Sequence, residues 1–418
     1  MYRITNSMLN NNYVRNLQTN LGNMSTLQNQ LSSGKKISSG ADDPRAAAQI
    51  MSLNDDISSN NQYGSNIQDV THLLDTEDSA LSEANNVLSR MRSLMVKAGN
   101  GTYSEDELSS IRDEMVSCVS QLGNVLNTSY NGKYVFGGTK TTSAPISVNS
   151  TTGAMSYSDD YGNGISTATS GSTTTTNVTL SNNNQLKSGG ITITGITETD
   201  TSGTPSYVVS YTDSAGNANN TSASSNIAGA LTSAGITNST DNTNFTSKLT
   251  SYLDNVNTNI TQIGSDLNTN IADGVSITYN INAGNLLETK DSNGNSVDAM
   301  SVFSNIISNL SVASDQNATD AAQSTARTNL TGSLLTNLDS VIDSFEAARS
   351  KIGTLENRMD SAASVNQDQN YSMTYSLSNT EDIDYAEAEV NYSSAQTVYK
   401  ASLQVSSKVL NTTLLDYL

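Results

Sequence analysis

One cysteine, one histidine and no tryptophan leave this 418-residue chain short of the side chains on which most site chemistry depends. A single thiol, Cys118, excludes an internal disulfide. It falls on a helical seam with Leu108, Ile111, Met115, Leu122 and Val125, so a buried structural thiol is expected. The sole histidine, His72, lies beside another seam between Thr71 and Leu73, and with no second histidine a two-histidine zinc helix is excluded. A Cys118–His72 dyad would need both side chains withdrawn from packed helices into a cleft, of which the sequence gives no sign. Aromatic residues make up 5% of the chain, hydrophobic ones 35% and charged ones 14%, which is thin for a compact enzyme. No apolar run approaches the ~18 residues of a membrane span. The 20 basic residues are scattered against 40 acidic ones, and a net charge of −20 argues against nucleic acid and against anionic membrane.

Other familiar arrangements are missing too. Gly137-Gly138 and Gly189-Gly190 lack the spacing and the following helix of a phosphate loop or a dinucleotide fingerprint. Asp42-Asp43 are adjacent and point in different directions, so helix capping explains them better than a metal or an acid pair. No catalytic residue, metal ligand or cofactor is read. The opening Met1-Tyr2-Arg3-Ile4-Thr5-Asn6 lacks the zones of a cleaved signal peptide, so the protein is expected to stay inside or to leave by a route that reads none.

What the chain does carry is a narrow apolar stripe at each end. Val14, Leu17, Leu21, Met24 and Leu31 follow steps of three, four, three and seven, with Gln28 in the gap, and line one face of an otherwise polar helix. At the other end Tyr385, Tyr392 and Tyr399 recur every seven residues, joined by Ala395, Leu403, Leu410 and Leu414 on neighbouring positions. Stripes this thin bury too little apolar surface to offset the entropy of ordering their backbone. The ends are expected to be mobile in the free monomer and to become helical against each other and against neighbouring copies.

Between the ends, helical punctuation is clear. Ser32-Ser33-Gly34-Lys35-Lys36 offers a glycine stop with basic residues, and Asp43-Pro44 starts the next helix with an N-cap and a first-turn proline. From there Leu53, Asn60, Ile67, Leu74, Leu81, Leu88 and Met95 keep a strict seven-residue period. Asn60 is its polar exception and reads equally as an exposed residue or as a buried, register-setting amide. Gly99-Asn100-Gly101 breaks the helix and Ser104-Glu105-Asp106-Glu107 forms a capping box. Asn131-Gly132 between Tyr130 and Tyr134-Val135-Phe136 predicts a tight hairpin. From about Thr141 to Ser296 the chain is rich in Thr, Ser, Asn and Gly, with strands at 191–194, 207–211 and 275–281. One helix intervenes, with Phe245, Leu249, Leu253, Val256, Ile260, Ile263 and Leu267 on a common face. The low apolar content also allows part of this region to stay flexible. Helices return with Val302, Phe303, Ile306, Ile307 and Leu310, then with Leu335, Leu338, Ile342, Phe345, Ile352, Leu355 and Met359, and a last one is expected near Thr380.

The segments Leu31-Ser32-Ser33-Gly34-Lys35-Lys36-Ile37 and Asp42-Asp43-Pro44-Arg45-Ala46-Ala47-Ala48 resemble the bacterial flagellin superfamily. Three further stretches look more like its hook-junction members than its filament members. They are 98–102, 131–138 and Asp382-Ile383-Asp384-Tyr385-Ala386-Glu387-Ala388 running on to the Leu414-Leu415-Asp416-Tyr417-Leu418 end, where filament flagellins typically carry a Leu-Leu-Arg type ending. The resemblance covers roughly 1–140 and 300–418 and implies a structural subunit exported unfolded by the flagellar type III system. In that reading it forms a homo-oligomeric ring between a first hook-associated junction protein and flagellin, served by an export chaperone.

The expected fold is mainly α with an inserted mainly-β domain, an elongated antiparallel helical rod built from both ends of the chain. Terminal coiled-coil segments would occupy 1–40 and 380–418, a helical rod domain 41–140 and 299–379, and a variable domain 141–298. Filament flagellin is the nearest rival. A secreted adhesin or glycan-binding role for the inserted domain is another, with Tyr157, Tyr161, Tyr207, Tyr211 and Tyr279 available to stack on sugars. An enzyme is the weakest reading.

Overall fold

The computed structural model describes residues 6–100, 103–170, 173–181, 184–290 and 294–411. Its first elements are α1 (Asn6–Ser33), α2 (Pro44–Ala98), α3 (Glu105–Leu126) and the short strands β1 (Ser129–Tyr130) and β2 (Lys133–Tyr134). A run of strands follows: β3 (Ile146–Val148), β4 (Met155–Ser158), β5 (Gly164–Ser170), β6 (Thr173–Thr179), β7 (Leu186–Ser188), β8 (Ile191–Thr201), β9 (Thr204–Thr212) and β10 (Ala218–Asn220). Next come α4 (Ile227–Ser233), α5 (Ser239–Ile263), β11 (Asn268–Ala272), β12 (Val275–Thr278), α6 (Ala283–Leu287), β13 (Glu288–Lys290) and β14 (Ser296–Asp298). The chain closes with α7 (Ala299–Ala313), α8 (Asp320–Thr331), α9 (Ser333–Glu381) and α10 (Tyr385–Asn411). The expected class, mainly α with a sheet-rich insertion, is the one observed. Two compact units are formed, one of Met1–Ser65 with Ala362–Leu418 and one of Asn66–Ser361.

In the larger unit α2 buries Ile67, Val70, Leu74, Glu77, Leu81, Ala84, Leu88, Met91, Met95 and Ala98, an unbroken alternation of three and four residues. That spacing keeps one line of side chains facing the core. Helix α3 starts on the capping box, in which the Ser104 hydroxyl accepts from the Glu107 N–H while the Glu107 carboxylate accepts from the Ser104 N–H. It buries Leu108, Ile111, Met115, Cys118, Leu122 and Val125, as expected. Arg349 bonds Asp78 at 2.7 Å and Arg92 bonds Asp339 at 2.6 Å, joining α9 to α2 in antiparallel order. On α9 the buried line runs through Leu334, Leu338, Val341, Phe345, Ile352, Leu355 and Met359, so Leu335 and Ile342 are corrected by one position and are half-buried.

The insertion contains an antiparallel eight-stranded sheet of order β10-β9-β8-β6-β5-β4-β3, with β7 also paired to β8. Ile165, Val178, Ile196 and Val209 stand in register across four strands and are buried. On α5, Asn259 takes a buried place while Ile260 is half-buried, and Leu267 lies beyond the helix end, which Gly264 caps. The Asn131-Gly132 turn has the predicted geometry, φ 51° and 76° at its two central residues.

Glu77 interrupts the apolar line of α2 with a carboxyl that is fully buried. The Ile281 N–H donates to its Oε1 at 3.3 Å and its Oε2 has no partner. Burial holds the group protonated well above the ordinary carboxylate range, and the Ile281 N–H and the charge of Lys351 oppose this only in part. The folded chain thus binds a proton here that the unfolded chain releases near pH 4.5, so stability falls as pH rises above that value toward the raised pKa. Glu77→Gln keeps the acceptor and removes the ionisation. Its thermal midpoint is expected to decline less than the wild type's between pH 5 and 9 (about four units) in a series of melts. A parallel decline in both proteins would show that Glu77 does not titrate with unfolding.

Candidate assembly interface

In the smaller unit α1 and α10 pack against each other along a line set by their sequences. On α1 it passes through Tyr13, Leu17, Asn20, Met24, Leu27 and Leu31, and on α10 through Ala388, Tyr392, Ala395, Tyr399, Ser402 and Ser406. The Tyr13 hydroxyl donates to the Ser402 carbonyl. The base of the pair is closed by backbone. The Lys36 N–H donates to Glu381 O at 2.6 Å and the Ile383 N–H to Gly34 O at 3.0 Å, while Lys35 forms an ion pair with Glu381 that raises the pKa of its ammonium. Gly34 ends α1 with φ at 75°, and a Cβ there would stand 2.8 Å from the Tyr385 hydroxyl. Both facts favour glycine.

The structure divides the candidate interface residues into two sets. Leu17, Met24, Leu31, Tyr392, Ala395 and Tyr399 lie in the line between the helices and are half-buried. Val14 and Leu21 lie about 90° around α1 from that line and remain 46% and 47% exposed. Leu403, 46% exposed, and Tyr385 lie on a flank of α10. The side chain of Leu410 and the whole of Leu414 fall outside the described residues. Tyr13, Leu27 and Ala388 were missed, because polar Asn20 and Ser402 interrupt their pattern. Val398 and Val405 are exposed on the other flank of α10. Each terminal helix therefore covers its partner along one thin line and leaves apolar rows bare beside it.

The last helix begins at Tyr385 and not near Thr380, which still belongs to α9. The acids after Thr380 do different work: the Ser378 hydroxyl donates to Asp382 at 2.6 Å, and the Asp384 carboxylate caps α10 by accepting from Ala386 and Glu387 N–H. Asn60 is buried. Its side-chain amide donates to Asn366 O at 2.9 Å, and the Asn366 amide donates to Asn60 O at 2.8 Å and to its Oδ1 at 2.9 Å. Of the two alternatives, the buried amide is the observed one.

Sites weighed for other chemistry have structural explanations. Asp43 accepts from Arg45 and Ala46 N–H as the α2 cap, and Asp42 closes a turn by accepting from Ser38 and Ser39 N–H, which lowers its pKa. Cys118 is buried, with its thiol pKa raised by burial, while His72 is exposed. The five tyrosines of the insertion do not make a stacking platform. Tyr157 is buried, Tyr161 packs edge-on against Tyr252 at 5.4 Å, and Tyr207 and Tyr211 share the face of β9 that carries buried Val209. Tyr279 is half-buried, and its burial first, then the nearby carboxyl groups of Glu77 and Asp69, raise its pKa.

Two family models match the chain: the bacterial flagellin N-terminal helical region over residues 4–141 and the bacterial flagellin C-terminal helical region over residues 335–418. A flagellin of Clostridium tyrobutyricum is 33% identical over 138 residues, 33% of this chain and 37% of that protein. Flagellar hook-associated protein 3 of Salmonella typhimurium is 32% identical over 145 residues, 34% of this chain and 46% of that protein. The matched stretch spans less than half the length of either relative. Among solved structures, flagellar hook associated protein-3 from Legionella pneumophila aligns with 79% of this chain and 98% of its own, with a TM-score of 0.42 and 18% identity.

Proposed function

The chain belongs to the bacterial flagellin family, and from that premise we propose that it is a structural subunit of the flagellum at the junction between hook and filament. It would be exported by the flagellar type III system and assemble as a ring between a first hook-associated junction protein and flagellin. The observation that carries this reading is the one-sided packing of the terminal helices. Val14, Leu21, Val398, Leu403 and Val405 are left bare in the protomer, and rows of bare apolar side chains gain most by burial against other subunits. A ring or tube needs such rows on different faces, since each subunit meets its neighbours heterologously.

The role at the junction, rather than in the filament, is supported by the likeness to a flagellar hook-associated protein 3. A strain lacking this chain is expected to build hooks and to shed flagellin monomers into the medium, with filaments restored by the gene in trans. Deletion that leaves hooks with full filaments would overturn the junction role. Deletion that removes the filament material itself, with nothing shed, would identify filament flagellin instead. The ends are further proposed to gain their full helical order only on assembly. Amide exchange on dilute monomer is expected to be fast across 6–33 and 385–411 and slow across the buried line of α2.

A further inference from the structure

Tyr371 and Tyr375 on α9 are 74% and 62% exposed, and their rings stack with centroids 6.5 Å apart and planes at 13°. The inward line of α9 in this unit is fixed by Asn366 and Asn370, which donate to Asn60 and Asn61 of α2. At about 100° per residue the two tyrosines lie roughly 160° around α9 from that line, so α2 cannot cover them. A rigid, amphipathic aromatic pair is the kind of surface that gains most from a protein partner. Its surroundings narrow the choice of partner. Residues 361–380 carry one charge, Asp368, in a chain with net charge −20. Two such copies repel each other except where their surfaces are nearly free of charge.

Helix α1 is the matching surface, because its residues carry one charge as well, and it is positive: Arg15. That guanidinium is exposed and bonds only within its own helix, to Asn11 O at 3.4 Å and Asn12 Oδ1 at 2.6 Å. It stands on the part of α1 that α10 leaves open, which also carries Val14 and Leu21. We propose that this outer face of α9 docks the open flank of α1 of a second copy, with Tyr371 and Tyr375 against Val14 and Leu21 and with Asp368 opposite Arg15. The contact joins two different patches, so it propagates from copy to copy, as a ring or tube requires, and does not close as a two-fold dimer. It rests on the proposed role and names the surfaces that meet.

The test is a charge exchange read on flagella isolated from cells whose only copy of this protein is the variant. Asp368→Arg and Arg15→Asp are each expected to lower incorporation on the order of tenfold, and the double variant to restore most of it. In the same preparation Leu21→Cys with Tyr375→Cys, which stand nearly level when Asp368 faces Arg15 in parallel helices, is expected to give a disulfide-linked ladder of chains. Buried Cys118 stays out of that reaction. Circular dichroism of each purified variant confirms that the helices are retained. Single variants that incorporate normally, a double variant no better than the singles, or a missing ladder would each overturn the contact while wild-type incorporation upholds the junction role. Absence of the wild type from isolated flagella would overturn both.

Discussion

A subunit carrying Leu21→Asp and Leu403→Asp is expected to be absent from flagella although it is made, exported and folded in its larger unit. Both side chains are about half exposed in the protomer, so the free chain loses little when they change. In an assembly the same positions would be desolvated. Each leucine forfeits roughly 1.5–3 kcal/mol of burial, and each new carboxylate adds the cost of entering an interface without a cation. The loss recurs at every subunit contact, which turns a few kcal/mol per site into a failure to assemble. Immunoblots of isolated flagella and of culture supernatant measure the partition, and the thermal transition of the purified variant measures the fold. Incorporation at the wild-type level would move the interface away from these flanks.

The same two residues show how far the sequence could be read. The terminal stripe was legible because Leu17, Met24 and Leu31 keep a heptad, but Val14 and Leu21 continue that pattern one position away from the line α10 actually covers. Two phases were open, and only the partner helix decides between them. Leu334-Leu335 and Val341-Ile342 repeat the ambiguity on α9, where adjacent apolar residues support either phase equally. No apolar seam was read between Met359 and Thr380 in the rod segment, because the inward positions there include Asn366 and Asn370, which carry no apolar period. Among the strands of the insertion that escaped notice, β5 and β6 are mostly Thr and Ser, and they place buried Ile165 and Val178 in the common row. Turn and cap chemistry was read more reliably. The Asn131-Gly132 turn and the Ser104–Glu107 box depend on neighbours in sequence, so nothing distant can overrule them.

The amide pair on α2 and α9 predicts the other large effect. Asn60→Ala alone leaves the Asn366 side chain without its Oδ1 acceptor and the Asn366 carbonyl without its extra donor, and is expected to cost about 1–3 kcal/mol. Asn60→Ala with Asn366→Ala removes both halves of the clasp, so no buried amide is stranded. The double variant is expected to recover part of that loss, a coupling of roughly 0.5–3 kcal/mol in a double-mutant cycle followed by urea unfolding. Its larger defect is in register. A polar pair in a helical seam penalises every alignment that parts the two amides, whereas the remaining half-buried positions, such as Leu53, Ile57, Met373 and Leu377, tolerate a slip of one heptad. Leu53 and Met373 stand level with each other in the register that pairs Asn60 with Asn366. A cysteine at each is expected to cross-link nearly fully when the clasp is intact and to lose on the order of tens of per cent to slipped species without it. Such a slip displaces α9 by about 10 Å along α2 and carries Tyr371 and Tyr375 out of reach of any partner they meet in the correct register. Close approach at the clasp is part of the same arrangement, since a Cβ on Gly64 would stand 2.9 Å from the Asn366 Oδ1. An unchanged cross-link yield in the double variant would assign the register to the apolar residues and leave the amides as a local bond only.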